Sequence, residues 1–261
     1  MPLDFSATTA LITGASSGIG AAFADALAER GANVVLVARR EERLNELAAE
    51  LTERHGITAT VIALDLERDD AAIELSDELG RRGIRIDSLI NNAGFGMRGD
   101  FVDADPARIA AMIQLNVAAL VALTRTFLPQ LIASGRGALV NIASVVAYQP
   151  TPHMAVYGAS KAFVLSFTEA IAYETRATGL RVLAVSPGAT ATEFFEIANA
   201  EDVTRGSVQT PAQVVATALG ALDRRRTPPS VVSGGTNRLA ATLAGVLPRG
   251  VVLDASGRLL A

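Results

Sequence analysis

Tyr157 and Lys161 stand four residues apart in Tyr-Gly-Ala-Ser-Lys, which on a helix places a phenol and an ammonium on one face. A cation beside a phenol favours the phenolate and draws its titration down from about 10, which makes the ring oxygen a usable general acid and base. Ser144 lies upstream at the end of an apolar run, where its hydroxyl is placed to reach the same oxygen. Taken alone, Tyr-x3-Lys also fits an exposed helical pair.

A second group of residues suits an anion. Thr13-Gly14-Ala15-Ser16-Ser17-Gly18-Ile19-Gly20 follows an apolar run and opens a helical pattern. Glycines permit tight or left-handed turns, and the N–H groups at a helix start can face a phosphate that the helix dipole also favours. The spacing is G-x3-G-x-G rather than the common G-x-G-x-x-G, so the loop reads either as a pyrophosphate seat or as a glycine-rich turn. Where an NAD site carries an acid for the ribose hydroxyls, this chain has Ala38-Arg39-Arg40. A guanidinium pairs with a 2′-phosphate that an acid repels, so NADP(H) is expected, with Arg39 as its ligand. Arg40 and Arg43 fit a solvated helix, paired along its surface. Asp65 is placed to accept from an adenine amino group and Leu66 to pack on the ring; the alternative for Asp65 is a helix cap.

These residues need a frame that brings residues 13–20, 39, 144 and 157–161 to one edge. Apolar runs at 8–13, 33–38, 58–64, 86–91, 137–143, 180–186 and 230–233 read as strands. Helical patterns fall between them at 18–30, 41–54, 69–81, 106–133, 156–177 and 211–224. Gly31 suits a helix end, Asp105-Pro106 a helix start, and Thr210-Pro-Ala-Gln213 a capping box. Strictly alternating strands and helices without a linker or repeat predict one α/β domain over residues 1–261. It is a doubly wound, Rossmann-like parallel sheet of about seven strands with helices on both faces.

Composition narrows the class. The chain has 261 residues, 50% of them hydrophobic and 19% charged, which suits a well-buried sheet and excludes disorder. A formal net charge of -4 with both signs interspersed offers nothing to a nucleic-acid backbone. Cysteine is absent, which removes disulfide and thiolate chemistry. The first residues lack a signal-peptide pattern, and the longest charge-free stretch, 137–160, is too polar to span a bilayer, so a cytoplasmic protein without a membrane span is expected. His55 and His153 lack a ligand pattern with nearby carboxylates, so no metal site is expected.

In combination these motifs resemble the short-chain dehydrogenases/reductases, in particular the compact subclass with a Thr-Gly-x3-Gly-x-Gly loop. Residues 13–20, Asn91-Asn92-Ala93-Gly94, Asn116, Ser144, Tyr157 to Lys161 and Pro187-Gly188 match in order, over roughly residues 7–192. The resemblance implies that Tyr157 donates a proton to a substrate carbonyl while a nicotinamide delivers hydride. It implies that Ser144 bonds the same oxygen, that Lys161 binds the nicotinamide ribose and tunes Tyr157, and that Asn116 holds a water in the proton path. Buried in a helix, Asn116 otherwise reads as a satisfied core amide. The resemblance assigns Gly14, Ser16, Ser17, Gly18, Ile19 and Gly20 to the pyrophosphate, and Asn92, Ala93 and Gly94 to the adenosine ribose. Pro187, Gly188 and Thr192, with Thr190 as a near rival, go to the nicotinamide end.

Beyond Thr192 the match thins. A substrate lid is expected over about 189–210, with Phe194 and Phe195 either walling an apolar cleft or filling the core of a short helix. His153 reads as a cleft residue or a solvated loop residue. The segment 230–261 is variable; its stripe Leu239, Leu243, Val246 and Leu247 suits packing on the domain or a subunit interface. The Asp-Gly-Gly turn of tetrameric relatives is missing, yet a homo-oligomer, dimer or tetramer, is expected from the apolar surface of the two long helices. The function expected is NADP(H)-dependent interconversion of a carbonyl and an alcohol on an apolar small molecule. The rivals are a 3-oxoacyl carrier-protein reductase and a non-catalytic NADP(H)-binding regulator.

Overall fold

In the computed structural model, which describes residues 3–198 and 208–260, seven strands pair in parallel in the order β3-β2-β1-β4-β5-β6-β7. They are β1 Thr9–Thr13, β2 Asn33–Ala38, β3 Ala59–Ala63, β4 Ser88–Asn91, β5 Ala138–Ile142, β6 Arg181–Ser186 and β7 Ser230–Val232. Strands β1, β2, β4, β5 and β6 are runs of β-branched and aliphatic residues because helices cover both faces of the sheet. The order reverses between β1 and β4, and at such a switch point the loops at the strands' C-terminal ends part to leave a crevice.

On one face, α1 (Gly18–Glu29), α2 (Glu41–His55) and α8 (Pro211–Leu222) bury Phe23, Leu27, Leu44, Leu51, Val214 and Leu219. On the other, α3 (Ala71–Arg81) and α5 (Leu120–Ser134) bury Leu75, Leu79, Leu123, Phe127 and Leu131. The helix starts foreseen at Pro106 and Pro211 form as expected. Asp105 accepts a hydrogen bond from the Ala107 amide at 2.9 Å, and Thr210 and Gln213 complete a capping box.

The helix expected over 106–133 is not continuous. It comprises α4 (Pro106–Ile113), a π-helical turn at Gln114–Ala119 and α5, and Asn116 sits within the wide turn. Taken together, residues 106–134 are long and apolar enough to cross a bilayer by length and composition, but Met112, Leu123, Phe127 and Leu131 are buried within the protein. The next long helix, α6 (Ala155–Glu174), stops short of 177, where Thr175 turns its hydroxyl back to the Ile171 carbonyl.

Of the two uses expected of the C-terminal stripe, packing on its own domain is not the one seen. On α9 (Gly235–Val246), Leu239 and Val246 are 62% and 74% exposed, and Leu243 and Leu247 are exposed too, so the stripe does not pack on its own domain. A further helix, α10 (Arg249–Leu260), was not foreseen from the sequence. The expected lid over 189–210 includes a short helix, α7 (Phe194–Ile197), and a bridge between Thr190 and Gln209; residues 199–207 lie outside the described residues.

Candidate active site

A cleft of about 890 Å³ opens over the C-terminal ends of the strands and is lined by the glycine loop, Arg39, Asn92 to Gly94, Ser144, Tyr157, Lys161 and Pro187 to Thr192. Sequence and space agree at its nucleotide end. Gly14 and Gly18 have φ of +63° and +56°, and a Cβ on Gly14 would lie 2.8 Å from the Asn92 amide nitrogen. A Cβ on Gly20 would collide with the Gly14 carbonyl, so only glycine lets α1 begin this close to β1. Asn92 holds the turn by donating to the carbonyls of Thr13 and Gly14 at 3.0 and 3.1 Å. Ser17 occupies the cap position of α1 yet makes no capping hydrogen bond, which leaves the helix start open to an outside anion. This cradle fits a dinucleotide pyrophosphate.

Asp65 and Leu66 line the same end, and Asp65 accepts from the Glu67 amide at 3.0 Å, a local turn rather than a helix cap. Arg39 pairs with Glu67 at 3.1 Å at the rim. Arg40 and Arg43 do not pair along their helix as expected. They reach across the cleft to Glu193 at 2.8 and 2.5 Å, and Arg40 also donates to Ser16 and Ser17.

At the other end Ser144 follows β5, and α6 carries Tyr157 and Lys161 past it. Gly158 lets α6 approach closely, since a Cβ there would lie 2.6 Å from the Thr151 hydroxyl. Ser144, Tyr157, Lys161 and Asn116 are all buried. Burial pushes the Tyr157 phenol up to about 12, with the Ser144 hydrogen bond working the other way, and burial pushes Lys161 down to about 8. The depression of Tyr157 expected from its cationic neighbour is therefore absent. Lys161 Nζ lies 5.9 Å from the phenol ring centroid and donates to the Ile142 carbonyl at 2.7 Å, so desolvation outweighs the charge. Asn116 spends its amide within the protein: Oδ1 accepts from the Phe95 amide, and Nδ2 donates to the Phe95 carbonyl and to Ser160. These bonds tie the π-helical turn to Phe95 and to α6.

Residues 8–202 match the family model for short chain dehydrogenases. The chain belongs to that family. It is similar to sulfoacetaldehyde reductase 2 of Chromohalobacter salexigens, with 44% identity over 70% of this chain and 73% of the relative. Its fold is similar to that of a short-chain dehydrogenase from Sphingobium yanoikuyae in complex with NADPH, at 38% identity and a TM-score of 0.80, covering 95% and 96% of the two chains. It is likewise similar to L-sorbose reductase from Gluconobacter frateurii, complexed with NADPH and L-sorbose, at 28% identity and a TM-score of 0.78, covering 90% and 98%. As a member, this chain is an oxidoreductase of the carbonyl/alcohol type.

In this dehydrogenase the sole lysine of the chain is Lys161, every other Lys or Arg position being arginine. An arginine does not give up its proton in a protein, whereas a buried lysine titrates readily. The segment after Thr192 lies over the catalytic end. Phe194 sets its ring 5.1 Å from that of Tyr157 and packs edge-on to Phe195, so both phenylalanines wall the cleft from a short helix. Thr192 rests against Gly18, while Thr190 is buried and donates to the Gly188 carbonyl. His153 is not a cleft residue; it pairs with Asp100 at 2.6 Å, and His55 pairs with Asp25. No cluster of metal-ligating side chains exists among the described residues.

Sequence reasoning gave no role to three charged residues that line the cleft, Arg40, Glu193 and Arg108, nor to Arg43, which pairs with Glu193 from behind. Arg108 lies over the Phe95 ring at 5.2 Å, donates to the Ile197 carbonyl at 2.7 Å and lines the substrate end. The i, i+3 spacing of Arg40 and Arg43 and a glutamate directly after Thr192 were the available signals.

Proposed function

We propose that the protein is an NADP(H)-dependent reductase that converts a small ketone or aldehyde to an alcohol. The observation that carries this reading is the buried Ser144–Tyr157 pair facing the same cleft as an uncapped helix start and two arginines at the end of β2. NADPH, when bound, supplies the hydride. Tyr157, held in its protonated form by burial, donates its O–H proton to the substrate oxygen, and Ser144 stabilises charge developing there. Lys161 stands behind Tyr157 as the group that returns the proton. Arg39 and Arg40 select the 2′-phosphate, which the missing acid after Ala38 admits. Gly14 to Gly20, Asn92 to Gly94, Pro187, Gly188, Thr190 and Thr192 shape the dinucleotide seat.

Phe95, Val146, Met154, Phe194 and Phe195 give the substrate an apolar wall, and Arg108 adds one cation at its edge. Self-association through the long helices belongs to the same reading, with Ile113, Phe163 and Tyr173 exposed along them. An NADPH-oxidation screen over neutral ketones and aldehydes and over short aldehydes bearing a sulfonate or carboxylate tests the assignment. Turnover of at least one carbonyl with NADPH well above NADH is expected; NADPH binding without oxidation across the panel refutes it.

A further inference from the structure

Glu193 stands where an anion would be drawn. Its two carboxylate oxygens are divided between Arg40 Nη1 at 2.8 Å and Arg43 Nη1 at 2.5 Å, and Ser17 Oγ donates to it at 3.2 Å. The same Arg40 guanidinium donates to Ser16 and Ser17 in the glycine loop. The hydrogen bonds from Arg43 and then Arg40 hold the Glu193 carboxyl down at about 2, so it is an anion at any working pH. Two guanidiniums and two serine hydroxyls on a glycine loop form an acceptor-hungry seat of the kind a phosphate monoester takes, and a carboxylate from the far side of the cleft fills it.

We infer that Glu193 is an internal stand-in for the cofactor's 2′-phosphate, and that displacing it frees the segment that lays Phe194 on Tyr157. The inference rests on the NADP(H) reading of this cleft. Charge decides the exchange. A carboxylate brings one negative charge to two guanidiniums, whereas a phosphate monoester brings about 1.5 to 2. Both together overload the seat, so the phosphate takes it and the carboxylate leaves. Glu193 also anchors α7, because its carbonyl accepts from the Ile197 amide at 3.0 Å while the next residue, Phe194, accepts from the Ala198 amide at 2.9 Å. The Phe194 ring covers Tyr157 and packs its edge against Gly96. The cofactor's phosphate and the cover over the catalytic tyrosine are thus joined through adjacent residues. An enzyme so arranged exposes Tyr157 to a carbonyl once the phosphorylated dinucleotide is present, and NADH leaves the latch in place.

The test uses 2′,5′-ADP and 5′-AMP, which differ in the 2′-phosphate and carry no nicotinamide to touch α7. Calorimetric titration of the wild type and Glu193→Gln should show 2′,5′-ADP binding about tenfold tighter in the variant, with 5′-AMP unchanged. Hydrogen exchange at the Ile197 and Ala198 amides should quicken when 2′,5′-ADP, but not 5′-AMP, is added to the wild type, and should already be fast in ligand-free Glu193→Gln. A 2′-phosphate preference that is equal in both proteins, or weaker in the variant, overturns the latch and leaves the cofactor reading standing. Exchange that is unchanged by 2′,5′-ADP overturns the link to Phe194. If neither protein distinguishes the two nucleotides, the cofactor reading falls and the latch with it.

Discussion

The two ends of the cleft handle charge in opposite ways. At the catalytic end Ser144, Tyr157, Lys161 and Asn116 are buried, and desolvation favours the neutral forms: the phenol rises to about 12 and the ammonium falls to about 8. At the nucleotide rim Arg39, Arg40, Arg43, Glu67 and Glu193 remain in contact with solvent, and ion pairing holds Glu193 charged down to about 2. One end stores protons and the other stores charge. The first suits transfer to a carbonyl oxygen only in that burial keeps Tyr157 in the protonated form that a donor needs. The second suits recognition of a phosphate, where the partner is an anion and exchange must be reversible. It follows that substitutions in the floor act on turnover, and substitutions at the rim act on nucleotide affinity.

The sharpest way to break this contrast is Tyr157→Phe. Removing one hydroxyl from the buried floor should lower kcat by about a thousandfold or more, within the range of general-acid contributions, while the affinity for 2′,5′-ADP stays at its wild-type value. Steady-state NADPH oxidation and calorimetry read the two quantities separately. A variant that retains near-normal turnover, or that loses nucleotide affinity along with it, removes the division between floor and rim.

The contrast also explains which parts of the molecule are legible in the chain. Local features are: β2 spans Asn33–Ala38 as its apolar run predicts, and the Asp105-Pro106 and Thr210-Pro211 starts form as read, because each depends on neighbours a few residues away. The glycine loop and Tyr157 to Lys161 are legible as fixed spacings. The direction of the Tyr157 shift is not, since it depends on how α6 is buried rather than on Lys161 four residues along. Arg40 and Arg43 looked like helix surface because their partner, Glu193, is about 150 residues away in sequence and is brought near only by the return of the chain after β6. The π-helical turn at Asn116 is equally hidden, because the side chain that it aims inward bonds to backbone at Phe95. The exposed stripe on α9 has the same period as a buried one, and only its position at the edge of the fold separates them.

At the rim the expected effects are smaller and graded by contact. Arg40 bridges the glycine loop and Glu193, whereas Arg39 is 64% exposed and pairs with Glu67. Arg40→Ala should weaken 2′,5′-ADP about tenfold, roughly 1.4 kcal/mol, with kcat at saturating NADPH little changed. Arg39→Ala should weaken it by a lesser factor, because an exposed guanidinium is well screened. Titration of both variants orders the two arginines. If Arg39→Ala costs more than Arg40→Ala, the phosphate contact belongs to the residue that the sequence singled out, and the bridge seen at Arg40 serves the loop alone.

The last effect is read on the cofactor-free protein and leaves both turnover and nucleotide affinity aside: a change of stability with pH that belongs to the floor. Lys161 titrates at about 8 in the folded protein against 10.5 when free, so between those values the unfolded chain binds a proton that the folded one does not. Stability therefore rises with pH through that window. Tyr157 does the reverse: its folded value of about 12 exceeds 10.0, so the folded protein keeps a proton that the unfolded chain has lost, and stability falls from about pH 10 upward. Urea midpoints of the cofactor-free protein should pass through a maximum near pH 10 on this account. Lys161→Met should flatten the rising limb, which amounts to roughly 3 kcal/mol between about pH 8 and 10.5 at 1.36 kcal/mol per pH unit, and Tyr157→Phe should flatten the falling one. Because Lys161 is the only lysine in the chain, no other lysine can supply the rising limb. A limb that survives Lys161→Met shows that burial is not what sets the proton on the catalytic floor, and the contrast between the two ends of the cleft then reduces to the ion pairs of the rim.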